Sequence, residues 1–181
     1  MKPQAQRRFY LILVLFALIG ANLIYRYRNT INQGPHVGAY APGFSLPDRD
    51  QKNISLNDLK GKAVLLNFWA TWCGPCQSEM PSIEALYQRY RDKGFVVLAV
   101  SLDEGGWPDI KNFMKQIPLS FPIVNDSKQK VGDLYQTTGI PETYLIDTEG
   151  KITDKFVGPQ NYDQEIFFKK VEGLLPKKNG S

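Results

Sequence analysis

Apolar and polar positions divide this 181-residue chain into one uncharged N-terminal run and a longer region of short apolar blocks. The run Phe9 to Tyr25 carries no charge. It just reaches the ~17–25 residues that a membrane-spanning helix needs. Residues 26–38 are polar, lack sustained periodicity and contain Gly34-Pro35, which reads as a linker. His36 stands at the edge of that linker and is expected to be a solvated side chain. From residue 39 to about 176 the pattern is that of one folded domain. Residues 1–8 form a basic flank expected on the cytoplasmic side, and residues 177–181 a disordered tail.

Within the domain the period changes repeatedly. Ala41 to Phe44, Ser45-Leu46-Pro47 and Ile54-Ser55-Leu56 predict a short hairpin, and Asn57 to Gly61 a turn. Ala63–Trp69 and Phe95–Val100 are continuous apolar runs, as expected of strands buried on both faces. Between them a helix runs from after Cys73 to about Asp92, with Ile83, Leu86, Tyr87 and Tyr90 on its core stripe and Gly94 as C-cap. Pro81 lies inside it and removes the bond to the carbonyl of Gln77, predicting a kink. A helix over Trp107–Gln116, a strand over Phe121–Val124 and a short helix over Gln129–Tyr135 follow. The chain closes with strands Thr143–Asp147 and Ile152–Val157, joined through Gly150, and a helix over Tyr162–Leu175. The fold class is α/β, a mixed sheet covered by helices on both faces.

Charge sharpens the first boundary. The formal net charge is +4, yet residues 1–35 hold five basic residues (Lys2, Arg7, Arg8, Arg26, Arg28) and no acidic ones. The remainder, with 17 basic and 18 acidic residues, is nearly neutral. The basic excess belongs to the flanks of the apolar run, so it is no argument for nucleic-acid binding. The more positive N-terminal flank orients the N-terminus to the cytoplasm. A cleaved signal peptide is the rival reading, but cleavage after Ala21 would place bulky Ile19 three residues back. No Cys follows the run that could carry a lipid. The expectation is an uncleaved signal-anchor with the domain exported, in the cell membrane and facing the periplasm or cell exterior.

The only two cysteines are Cys73 and Cys76, where the strand turns into the helix. Cys-X-X-Cys in that position is a dithiol–disulfide redox centre. Half a zinc site is the weaker reading by ligand count, since structural zinc takes four ligands and the single His36 is far upstream. No metal and no cofactor is expected. At the helix start the Cys73 thiol meets unpaired N–H groups and the positive dipole end, worth ~0.3–2 kcal/mol, which pulls it modestly below the ordinary thiol value. A thiolate stabilised only that far leaves the reduced pair willing to give up electrons, which predicts a reductant. Cys73 attacks a substrate disulfide, and Cys76, one turn in, resolves the mixed disulfide.

Glu79 lies three residues beyond Cys76 on the same helical face, either as the base for Cys76 or as a solvated acid near a helix N-terminus. Asn67 cannot exchange a proton at neutral pH and reads as a hydrogen-bonded buried amide. Trp69 and Trp107 read as packing. Trp72, Gly74 and Pro75 read as docking surface beside the thiol.

These residues match a family. Trp72-Cys73-Gly74-Pro75-Cys76, with Pro81 eight residues after the first Cys and Ile140-Pro141 before a strand, resembles thioredoxin. The wider pattern resembles the membrane-anchored, extracytoplasmic thiol–disulfide oxidoreductases of the TlpA/ResA/CcmG type. The segments that carry it are Ala41–Phe44, Leu66–Cys73, Glu79-Met80-Pro81 and Gly139–Asp147, and it covers roughly residues 39–175. The resemblance implies a thioredoxin fold with an N-terminal hairpin extension, a central helix–strand insert over Trp107–Tyr135, and one preceding transmembrane helix. It implies a cis bond at Pro141 beside the dithiol, Ile140 in substrate binding, and Glu79 tuning the cysteines. Where thioredoxin has a buried Asp before its motif this chain has Asn67, which leaves Glu79, and with it Glu142, as proton handlers. Many members that serve cytochrome c maturation carry other dipeptides where this chain has Gly74-Pro75.

The leading expectation is a membrane-tethered disulfide reductase acting on apocytochrome c or similar protein disulfides, fed by a transmembrane thiol electron donor. A thiol peroxidase is a weaker alternative, because peroxiredoxins place Thr three residues before the reactive Cys and here that residue is Ala70. A Cu(I) metallochaperone for respiratory oxidase assembly would use both soft thiolates. Copper-delivering relatives add a distal His, and none stands downstream of Cys76.

Overall fold

A computed structural model describes residues 3–32 and 34–177, with the side chains of 8–25 and 34–177. Lys2 and residues 178–181 of the expected tail lie outside the described residues. The chain divides into two compact units, Met1–Gly34 and Pro35–Ser181.

Among the described residues, the first unit holds one helix, α1 (Pro3–Asn32). Its stretch Arg8–Tyr25 is long and apolar enough to cross a membrane, and the apolar side chains from Phe9 to Tyr25 are exposed. A helix that is apolar on all sides needs lipid or protein around it. α1 continues seven residues past the expected end of the span, so residues 26–32 are helical where a linker was expected. The physical reason lies in the breakers: between Tyr25 and Asn32 there is no Gly or Pro, and Gly34-Pro35 is the first pair that stops a helix.

The second unit is built on a five-stranded sheet in the order β5-β4-β3-β6-β7. Its strands are β3 (Ala63–Trp69), β4 (Phe95–Ser101), β5 (Ile123–Asn125), β6 (Glu142–Ile146) and β7 (Ile152–Val157). β3, β4 and β5 run parallel, while β6 pairs antiparallel with β3 and β7 with β6. A separate hairpin, β1 (Ser45–Pro47) with β2 (Asn53–Ser55), precedes it, as the alternation predicts. The helices are α2 (Gly74–Tyr90), α3 (Trp107–Gln116), α4 (Lys130–Leu134) and α5 (Glu165–Leu174).

Strand alternation sorts the core into two halves. Leu65 and Trp69 face α2, α3 and α5, packing with Met80, Ile83, Leu86, Phe113, Phe167 and Val171. Val64, Leu66 and Phe68 face the other way, against Val131, Tyr135, Tyr144 and the hairpin. All seven residues of β3 are buried, so it is the central strand that the apolar run implied.

Three boundaries move for local reasons. β5 starts at Ile123 rather than Phe121, because Pro122 has no N–H and contributes only its carbonyl, to Ala99 N–H at 3.0 Å. α2 ends at Tyr90, and one 3-10 turn carries the chain to Gly94, whose φ of 86° makes the left-handed cap. α5 starts at Glu165 rather than Tyr162, because Tyr162 is turned inward and fully buried, its N–H donating to Ser82 Oγ at 3.0 Å. Pro81 sits inside α2, which runs through it as one helix.

Candidate functional site

β3 delivers the chain to the open end of the sheet, and Cys73 caps the helix that begins there. It takes an extended backbone (φ −88°, ψ 100°), and its Sγ accepts the Cys76 N–H at 3.2 Å. This is an N-cap made by sulfur: the side chain satisfies one of the N–H groups that a helix start leaves unpaired. Cys73 and Cys76 are joined in a disulfide with Cα atoms 5.2 Å apart. Cys76 is wholly buried, whereas Cys73 keeps 6% of its surface open. Access therefore runs through Cys73.

The neighbouring loop comes from the start of β6. Ile140-Pro141 is a cis peptide, and the Ile140 carbonyl oxygen lies 3.7 Å from Cys73 Sγ. Pro141 is buried while Ile140 is partly open. A third segment that sequence reasoning missed joins them: Gly158, just after β7, donates its N–H to Pro141 O at 2.9 Å. Its φ of 86° requires glycine there. Its signal in the sequence was Val157-Gly158-Pro159 closing an apolar strand. Cys73 is flanked by exposed Trp72 (69%), Gly74 and Pro75, and faces the partly open Ile140. Trp72 next to the disulfide is a large apolar side chain left in water, as a docking surface requires.

Beneath the disulfide lies a polar group on the α2 face of the sheet. Glu79 is 2% exposed. Its Oε1 accepts from Asn67 Nδ2 at 2.8 Å and its Oε2 from the Gln160 N–H at 3.2 Å. Burial raises its carboxyl from 4.5 to about 7, against the opposing pull of the Gln160 N–H and then the Asn67 amide. Asn67 also donates to Thr143 Oγ1 at 2.9 Å, so it is the hydrogen-bonded buried amide its chemistry suggested. Tyr162 is buried close by, and desolvation, then the Glu79 charge, push its hydroxyl upward. A carboxyl poised near neutrality, one helical turn beyond a buried thiol, suits proton transfer at physiological pH.

Glu142 does not belong to this group. In β6 the alternation puts Thr143 on the Asn67 side and turns Glu142 to the opposite face. There it pairs with Lys155 Nζ at 3.2 Å and accepts the Tyr144 hydroxyl. The expectation that it handles protons for the dithiol is corrected: it is a buried ion-pair residue behind the cis peptide. His36 is exposed.

One further cluster had no sequence signal. Asp103, in the loop after β4, is 1% exposed and receives the backbone N–H and the hydroxyl of Thr71, two residues before Cys73.

The chain matches the model of the AhpC/TSA family over residues 37–155. It is 38% identical over 173 residues to a protein of Bacillus cereus named thiol-disulfide oxidoreductase ResA, covering 94% of this chain and 96% of that protein. The protein of the same name from Bacillus subtilis (strain 168) is 37% identical over 151 residues, 82% of each chain. Among solved structures, a putative thiol:disulfide interchange protein DsbE from Chlorobium tepidum superposes with a TM-score of 0.72 at 35% identity, over 77% of this chain and 98% of that one. StoA from Bacillus subtilis superposes with a TM-score of 0.61 at 28% identity, over 76% and 99%.

Proposed function

The chain belongs to the AhpC/TSA family and, within it, to the thiol–disulfide oxidoreductases of the ResA type, and from that premise we propose that it is a membrane-tethered, extracytoplasmic disulfide reductase. The observation that carries the reading is the asymmetry of the pair. An accessible, helix-capping Cys73 is bonded to a fully buried Cys76, with a carboxyl raised to about 7 one turn further in.

In the reduced protein the Cys73 thiolate attacks one sulfur of a substrate disulfide. A Cys73–substrate bond forms, the substrate S–S bond breaks, and the leaving thiolate takes a proton. Cys76 then gives its proton to the Glu79 carboxylate and attacks Cys73 Sγ. The second substrate thiol leaves, and the Cys73–Cys76 disulfide remains. The substrate gains two electrons and two protons. The Ile140 carbonyl beside Sγ and the Trp72 ring supply the surface on which the substrate polypeptide lies. Exported proteins with neighbouring cysteines, apocytochrome c among them, are the substrates, and a transmembrane thiol carrier restores the dithiol. The fully buried Ala70 stands where a thiol peroxidase carries Thr, so the peroxide reading gains no support from this site.

The reduction potential of the full chain in detergent, equilibrated with dithiothreitol buffers, tests the direction of flow. A value near ~−270 mV is expected of a reductant, and a value near ~−120 mV would make the protein a disulfide donor instead. The tether is tested separately. The chain should stay in the membrane fraction after alkaline carbonate washing, and a chain starting at Pro35 should appear in the soluble fraction. Release of the full chain by carbonate would remove the spanning role of α1.

A further inference from the structure

The segment Ala70–Trp72 leads from β3 to Cys73, and it is held from another part of the fold. β3 and β4 end side by side, with Trp69 opposite Ser101 and the Leu102 N–H donating to Trp69 O at 2.8 Å. Asp103 follows directly. Its two carboxylate oxygens accept the Thr71 N–H at 3.1 and 3.0 Å, Oδ1 accepts the Thr71 hydroxyl at 2.6 Å, and Oδ2 accepts the Ser101 hydroxyl at 2.7 Å. Asp103 is itself fixed, its N–H donating to Ser101 Oγ at 3.1 Å and its carbonyl accepting Asn125 Nδ2 at 3.0 Å. The remaining polar group of Thr71, its carbonyl, accepts Gln77 Nε2 at 2.5 Å.

The donor count explains the residue type. Three donors converge on this side chain: one backbone N–H and two hydroxyls. A carboxylate only accepts, and it has room for all three. Asparagine would offer one acceptor oxygen and point its own N–H groups at donors. A buried carboxyl group must be matched by hydrogen bonds, and these three donors supply the match. What the bonds secure is the position of Thr71, and Thr71 is the last anchored residue before Trp72 and Cys73.

We propose that Asp103 is a positioning residue for the exchange reaction: by binding both donors of Thr71 it sets Cys73 at the helix start and Trp72 beside it. The proposal rests on the reading of Cys73 as the attacking thiol. Held this way, the Cys73 N–H reaches Ala70 O at 3.2 Å and Sγ stays in line with the Cys76 N–H. With Thr71 released, Sγ drifts from the helix end, and small displacements of a reacting atom can cost as much as about 10²-fold in rate.

The test is the second-order rate of the reduced full chain with a small disulfide, 5,5′-dithiobis(2-nitrobenzoate), at pH 7, normalised to folded protein by near-UV circular dichroism. Asp103→Asn should lower the rate about 10–10²-fold and Thr71→Val about 3–10-fold. The double variant should be no slower than Asp103→Asn, because both act through one contact. With insulin as the substrate kcat should fall and KM should rise with it, because Trp72 on the docking surface is displaced together with Cys73. If both single variants fold and keep the parent rate while only their melting temperatures drop, Asp103 is structural and the proposal fails. Additive losses in the double variant would also overturn it. Should Asp103→Asn not fold, Thr71→Val decides, since it deletes one hydroxyl and leaves the charge buried as before. Cys73→Ser separates the two readings. If that variant still reduces disulfides the premise falls; if it is inactive while Asp103→Asn and Thr71→Val react like the parent, only the Asp103 assignment falls.

Discussion

Cys73→Ser should abolish disulfide reduction, by about 10³-fold or more, because a serine hydroxyl is not ionised at neutral pH and nothing beside it acts as a base for it. Cys76→Ser should behave differently. The first exchange still occurs at Cys73, but the intermediate cannot be resolved, so a one-to-one mixed disulfide with the substrate accumulates. The asymmetry follows from burial. Cys76 has no exposed surface, and a protein disulfide meets the pair only through Cys73. The helix-capping bond from the Cys76 N–H to Cys73 Sγ also favours negative charge on Cys73, the sulfur proposed to attack first. Non-reducing electrophoresis and mass spectrometry of the trapped complex, with an oxidised Cys-X-X-Cys peptide as substrate, check the order. A mixed disulfide that forms through Cys76 in Cys73→Ser would reverse the assigned roles.

The dithiol and its helix were legible because their determinants are local: a continuous apolar strand, two cysteines at helical spacing and a stripe that starts beyond them. The bounds of α3 and β7 could be read for the same reason. Glu79 and Asn67 could each be named, but not their bond. It joins a helix to a strand twelve residues earlier in the chain, and only the packing of α2 on the Leu65–Trp69 face brings them together. Glu142 was misjudged because a proline-led loop does not announce the phase in which the next strand begins, and a shift of one residue turns a side chain to the other face. Asp103 had no local mark at all. Its meaning comes from the parallel pairing of β3 with β4, which lays Ser101 against Trp69. The sequence predicts Tyr162 in the first turn of the last helix. Its aromatic bulk instead fills the space above Phe167, at 4.7 Å between ring centres, and holds the preceding loop over Glu79.

Glu79→Gln should change both the stability and the chemistry, each with its own dependence on pH. Burial raises the carboxyl from 4.5 to about 7. The native chain therefore keeps this proton over a range in which the unfolded chain has released it. The stability linked to the proton is fully present below about pH 4.5 and is lost as the pH rises through about 7. Above that the fold carries an ionised, buried carboxylate at a cost on the order of 3 kcal/mol. Glutamine has nearly the same shape and no charge. Its oxygen can still accept the Gln160 N–H, and its amide nitrogen then faces Asn67, whose own amide must turn over so that Oδ1, a buried acceptor without a partner, replaces Nδ2 at that contact. Urea unfolding of the oxidised protein should find Glu79→Gln more stable than the parent at pH 8, by up to about 3 kcal/mol, with the two converging near pH 5. The opposite holds for turnover. Without a carboxylate to receive the Cys76 proton, release of the second substrate thiol should slow by about 10²–10⁴-fold and lose its pH step near 7. The two measurements separate a base from a structural acid. A gain in stability at pH 8 with unchanged release kinetics would confine Glu79 to the core. If release slows and its pH step disappears, the carboxyl handles the Cys76 proton.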